Sequence, residues 1–325
     1  MTGENSVQER ATSAGPSSLP NTGPPVTTAS RGRPKIVSLL IGVTLALLAT
    51  ACGSEDSSSE QRTGTTVIAT TGVIADIVQN VAGPDAQVVQ LIPDGVDVHS
   101  FEVSAQVRQS LNEAALVIEA GARLEAGLPL AESEAQRWAL ADAGGELLEL
   151  PSGALDPHVW MSPAFVSDAL GSLADALSHA NPENAAAYRT RAAEYAERLK
   201  ALDGEIAAEI SQIPEAQRSL VTSHDSLGYF ADRYGLEVLL TPFPSSGPEA
   251  EPSAARLAEV QAAIERSGVS ALFAQASDSA DVLETLARAT GTEVVDDLLV
   301  GSPGDAGGYE EMLRHDAMLI SSALR

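Results

Sequence analysis

The chain has 325 residues, 44% of them hydrophobic, and a formal charge of −26. That length accommodates two ordinary domains, and the apolar content is that of a globular protein whose acidity sits on a solvated surface. The charge excludes a basic nucleic-acid footprint, and a single cysteine, Cys52, excludes an internal disulfide or a cysteine-rich zinc site.

In chain order, the first stretch is rich in Ser, Thr, Pro and Gly and is expected to have no fold. Arg31, Arg33 and Lys35 then precede an apolar run, Ile36–Thr50, that is short for a membrane span. The run ends in small residues immediately before Cys52, the layout of a signal peptide with a lipobox. That layout implies cleavage before Cys52 and a lipid on its sulfur; the alternative is an incidental cysteine. Residues 1–51 are thus read as a disordered region plus lipoprotein signal peptide. Residues 52–64 are read as a flexible tether, which places the folded part outside the cytoplasmic membrane.

From Thr66 short apolar runs alternate with helical stretches. "TVIAT", "AQVVQLIP", "ALVIEAG" and "ELLEL" read as strands in the first half, and "RSLVTSH", "LEVLLTPF", "SALFAQAS" and "TEVVDDLL" in the second. Strands alternating with helices predict α/β packing with mainly parallel sheets, in an N-terminal lobe over 65–180 and a C-terminal lobe over 215–325. Between them, 181–214 reads as one long helix. Asn181-Pro182 supplies a start signal, and Tyr188, Ala192, Tyr195, Leu199, Leu202, Ile206, Ile210 and Ile213 recur at spacings of three and four until Pro214. Such a helix can brace both lobes, with Gly204 as a weak point inside it.

Three of the five histidines stand near predicted strand ends: His99 in "DGVDVHSFE", His158 in "DPHVWMSP" and His224 in "VTSHDSLGYF". In open α/β sheets, ligands bind beyond the carboxyl ends of the strands, so two facing lobes would bring these loops to one cleft. Imidazole suits zinc and other borderline divalent ions. No pair has the His-x3-His spacing of a helix-borne metalloprotease site, so the chemistry alone leaves hydrogen-bonded, partly buried histidines as the alternative. His179 reads as a surface or capping residue and His315 as a solvated or packing one. Asp156 could orient a ligand imidazole, and Phe101 and Trp160 could wall the cleft.

The flanking words add a resemblance. "DGVDVHSFEVSAQVRQSLNEAALVIEAG", "DPHVWMSP", "VTSHDSLGYFADRYGLEV" and "EAEPSAARLAEV" resemble, in order, the motifs of ZnuA/TroA-like solute-binding proteins of metal ABC transporters, over roughly Thr66 to Arg325. Val98 and Val103 depart from the pattern. The resemblance implies His99, His158 and His224 as metal ligands and a fourth, acidic ligand before a Pro-Gly turn. "VVDDLLVGSPGDAGGY" offers Asp297 or Asp296, with Asp297 favoured by its distance from the turn. The implied function is not enzymatic. It is extracytoplasmic capture of a divalent ion and delivery to an ABC permease and its ATPase, with a zinc metallochaperone as a further candidate partner. Three imidazoles and one carboxylate favour Zn2+, with Mn2+ as the alternative. A secreted zinc-dependent hydrolase is the reading from another class. It would need an open coordination position and a nearby base, and no His-Glu-x-x-His motif supplies one. The chain is expected to be a monomer, anchored to the membrane by lipidated Cys52.

Overall fold

Buried apolar strands alternating with amphipathic helices build two parallel sheets. The computed structural model of the protein describes residues 64–96, 98, 101, 103–243, 252–276 and 280–325. All belong to the unit Ser59–Arg325. The signal peptide, Cys52 and most of the tether expected from the sequence lie outside the described residues, as does His99.

The first sheet contains β1 (Thr65–Ala69), β2 (Ala86–Gln90), β3 (Leu116–Glu119) and β4 (Gln136–Ala139), in the order β2-β1-β3-β4, all parallel. The second contains β5 (Ser219–Thr222), β6 (Glu237–Val238), β7 (Ala271–Gln275) and β8 (Glu293–Leu298), in the order β6-β5-β7-β8, also parallel. The central strands are buried along most of their length, as parallel strands covered on both faces must be. Helices α1 (Gly72–Ala82), α2 (Ala105–Glu113) and α3 (Pro163–Ala180) accompany the first sheet. Helices α5 (Gly228–Tyr234), α6 (Ala254–Ser267), α7 (Asp281–Thr290) and α8 (Tyr309–Leu324) accompany the second. The helix starts are chemically marked. Thr71, Ser104, Ser162 and Ser253 each accept a backbone N–H in the first turn of their helix.

One strand differs from the sequence reading. "ELLEL" is not a strand; Glu149 makes only an isolated antiparallel bridge to Leu155 around the Pro151–Gly153 turn. The fourth strand is instead "QRWA". It lies at the sheet edge, where one polar face is tolerated, so its alternation is weak in sequence. Arg137 on it donates to both oxygens of Glu119 on β3, at 2.6 and 3.1 Å.

The connecting helix is present. A 3-10 turn at Pro182–Asn184 leads into α4 (Ala185–Ile210), whose 26 residues span on the order of 39 Å. Every residue of the expected stripe from Tyr188 to Ile213 is buried. The stripe packs against α1 and α3 on one side and α5 and α8 on the other, so α4 braces both lobes. Arg191 adds a polar tie, donating to the carbonyls of Val81 and Ala82 at the end of α1 and to Asp85 in the 3-10 turn that follows. Asn181 does not cap with its side chain; it donates to Asp85 O and Tyr188 Oη.

Candidate metal centre

His158 follows Asp156-Pro157 and begins a 3-10 turn, Val159–Met161, that leads into α3. The expected strand before it is absent, so a loop and a turn, rather than a strand end, present this residue. It is only 3% exposed. Asp156 Oδ1 accepts both the backbone N–H of His158, at 2.9 Å, and a bond from its Nδ1, at 2.8 Å. A carboxylate cannot donate, so this contact holds the ring proton on Nδ1 and leaves the Nε2 lone pair for a cation. Asp156 is itself buried, and its carbonyl accepts from Tyr229 Oη on α5 at 3.2 Å. Gly228, the first residue of α5, makes this approach feasible: a Cβ there would sit 2.5 Å from Asp156 Oδ2.

His224 lies just beyond the carboxyl end of β5, and its segment bridges to Phe243 in parallel. Thr222 Oγ1 and the Ser226 N–H both bond its carbonyl, at 2.7 and 2.9 Å, which tightens the turn after the strand. Its ring centroid is 5.5 Å from that of His158. Two of the three sequence-predicted histidines therefore meet, one from each side of the cleft. Trp160 packs edge-on against His158, with centroids 5.3 Å apart, and its indole N–H donates to Val300 O at 2.7 Å. It is buried in the core beside His158. Phe101 packs instead with a smaller apolar cluster that includes Ile92 and Leu111.

Asp297 is placed elsewhere. Phe273 pairs with Val295 and Gln275 with Leu298, so two residues of β8, Asp296 and Asp297, oppose one of β7. This is a bulge, and Asp297 adopts a left-handed φ of 78° within it. Its carboxylate is 66% exposed and lies 3.6 Å from His315 Nε2, which also contacts Asp297 O at 3.0 Å. Asp296 is exposed as well. Among the described residues, no group of three or more His, Cys, Asp or Glu side chains comes together to hold a metal ion. His179 is exposed in the last turn of α3.

Two neighbours of His224 were not legible beforehand. Asp225 accepts from Thr241 Oγ1 at 2.9 Å; burial pushes its carboxyl above the usual range, and the Thr241 bond opposes that. Gln275, at the end of β7, places its side-chain amide on the His224 ring. A polar residue ending an apolar strand beside β5 is the signal that could have found it.

The cleft is closed by bonds between the two halves. Ser302 Oγ donates to Asp94 Oδ1 at 2.6 Å, Val73 N–H to Gly301 O at 3.3 Å, and Tyr309 Oη to Trp160 O at 2.5 Å. Gly72 lets these segments meet, since a Cβ on it would lie 2.6 Å from Asp94 Oδ1 and 2.9 Å from Ser302 Oγ. Beside them lies a largely apolar cavity of about 130 Å³, lined among others by Ile92, Val98, Leu299 and Val300.

Comparison with known proteins agrees with this architecture. The family model "Zinc-uptake complex component A periplasmic" matches residues 67–323. The manganese-binding lipoprotein MntA of Bacillus subtilis is 28% identical over 309 residues, covering 90% of this chain and all of that one. The zinc-binding lipoprotein AdcA of Streptococcus pneumoniae is 30% identical over 278 residues, covering 80% of this chain and 54% of that one. Among solved structures, the periplasmic zinc-binding protein TroA of Treponema pallidum superposes with a TM-score of 0.75 at 28% identity, covering 80% of this chain and 99% of that one. The chain belongs to the ZnuA family of metal-binding, solute-binding components of ABC-type metal uptake, which are not enzymes.

Proposed function

We propose that this chain is a monomeric extracytoplasmic receptor that captures Zn2+ between its lobes and delivers it to an ABC permease and its ATPase. The observation that carries the reading is the meeting of His158 and His224 across the cleft, with Asp156 holding the His158 ring so that Nε2 is free to bind. His99 supplies the third imidazole and Asp297 the carboxylate. For that, the Asp297 side chain must turn from His315 toward the cleft. Three nitrogen donors and one oxygen favour zinc over manganese, which prefers more oxygen ligands. Manganese is the second reading, favoured by the name of the Bacillus relative. Lipidated Cys52 anchors the chain, residues 52–64 tether it, and the lobes comprise 65–180 and 215–325 on either side of the connecting helix, 181–214. A zinc metallochaperone could load it.

One preparation tests metal and anchor together. The chain is extracted from membranes without chelators, its metal content is measured, and Zn2+ and Mn2+ then compete for it. Zinc at one ion per chain, undisplaced by equimolar Mn2+, together with an N-terminal peptide bearing a diacylglycerol on Cys52, is the expected result. Manganese occupancy would overturn the choice of ion, and an unmodified Cys52 the anchor.

A further inference from the structure

Gln275 is 5% exposed and ends β7, the strand beside β5. Its Nε2 lies 2.9 Å from His224 Nδ1 and 3.2 Å from His224 Nε2, and it donates to Ser226 Oγ at 2.7 Å. Ser226 is fully buried and its hydroxyl also lies 3.5 Å from His224 O. His158 and His224 thus have different partners. His158 faces a carboxylate, which can only accept. His224 faces a side-chain amide, which donates through one end and accepts through the other.

That difference has a chemical consequence. An NH2 group can only donate, so in the arrangement seen here it engages a ring nitrogen that carries no proton. Where it donates to Nδ1, the shorter of its two contacts, the proton of the neutral ring resides on Nε2. A cation taken up through Nε2 requires the reverse: Nε2 gives its lone pair to the ion and the proton resides on Nδ1. The amide meets both demands by turning over, so that Oε1 accepts from Nδ1–H. The hydroxyl of Ser226 can turn with it, becoming the donor to Oε1. A carboxylate at this position would hold the loaded tautomer permanently.

We propose that Gln275 is a positioning residue for His224. Its amide supports the bare ring as a donor and the metal-loaded ring as an acceptor, which lets His224 bind the ion and give it up again. The proposal rests on the reading of His224 as a ligand. It also assigns a reason for a neutral residue here: the C-terminal half of the site is built to release, while Asp156 fixes the other half.

The test uses the full chain in detergent, as wild type, Gln275→Ala, Gln275→Glu and His224→Ala, with Zn2+ as the probe. Equilibrium affinity and the rate of zinc loss to a chelator are measured, together with 15N chemical shifts of the labelled imidazoles. Loss of an outer partner of a ligating histidine typically weakens metal binding by about 10–100-fold, and Gln275→Ala is expected in that range. Gln275→Glu, nearly isosteric, is expected to release zinc about tenfold more slowly than wild type. In the wild type the His224 proton should move from Nε2 to Nδ1 on loading. Release rates of Gln275→Ala and Gln275→Glu both within twofold of wild type, or a His224 proton on Nε2 in the loaded chain, would overturn the proposal. A His224→Ala chain that binds like wild type would instead remove His224 from the site, a distinct failure.

Discussion

At the scale of single residues, the site is a set of side chains whose options have been reduced by neighbours. Asp156 fixes one tautomer of His158 through two bonds from the same residue, and Gly228 leaves the space in which that carboxylate sits. A second buried aspartate shows what an incompletely partnered carboxylate does. Asp316 on α8 is fully buried; Oδ1 accepts Leu299 N–H at 3.0 Å, while Oδ2 has no partner among the described residues. Burial raises its carboxyl well above the usual range, partly opposed by the Leu299 bond, with the Asp297 charge adding to the rise. A carboxyl raised in the folded state contributes stability below its unfolded value of about 3.9, and that contribution is lost as pH rises through the folded value. Asp316→Asn retains an acceptor for Leu299 and cannot ionise. Thermal melts from pH 4 to pH 8 should show the variant gaining on wild type as pH rises, by on the order of 1 kcal/mol, or about 2–4 °C, at the upper end. A constant difference across that range would show that Asp316 is ionised throughout.

At the scale of elements, α4 was the most legible part of the chain because its apolar spacing persists over seven turns, and each stripe residue found a packing partner. Gly204 lies off that stripe, and a Cβ there would meet nothing within 4 Å. Its cost is therefore conformational entropy alone. Gly204→Ala should raise stability by about 1 kcal/mol with no change in metal binding, measured by denaturant unfolding; a destabilised variant would reveal a packing role for the bare backbone. The shorter elements were less legible. "ELLEL" carries more apolar residues than "QRWA", yet Pro151 and Gly153 turn the first back on itself, while the second needs only one covered face at its sheet edge. The bulge in β8 was invisible for a related reason. Nothing in "VVDDLL" states that two residues will face one of β7, and that count turns Asp297 outward to His315. Gln275 is not legible in the sequence, because its chemistry depends on a neighbour 51 positions away.

At the scale of the whole molecule, two parallel sheets direct their carboxyl ends toward one cleft, and α4 holds the halves together from behind. Bonds from Ser302, Tyr309 and Trp160 join the halves further. Large hinge motion would break this set together with α4 packing, so on the proposed reading capture and release proceed through movements of loops and side chains around the ring pair. With the two rings 5.5 Å apart, the proposed function has one ion shared between His158 and His224. Zinc titration of the purified chain by calorimetry, beside His158→Ala and His224→Ala, tests it most directly. One zinc per wild-type chain, with affinity lowered at least about 100-fold in each variant while the melting transition is retained, is the predicted result. Unchanged stoichiometry and affinity in either variant would contradict a site shared across the cleft.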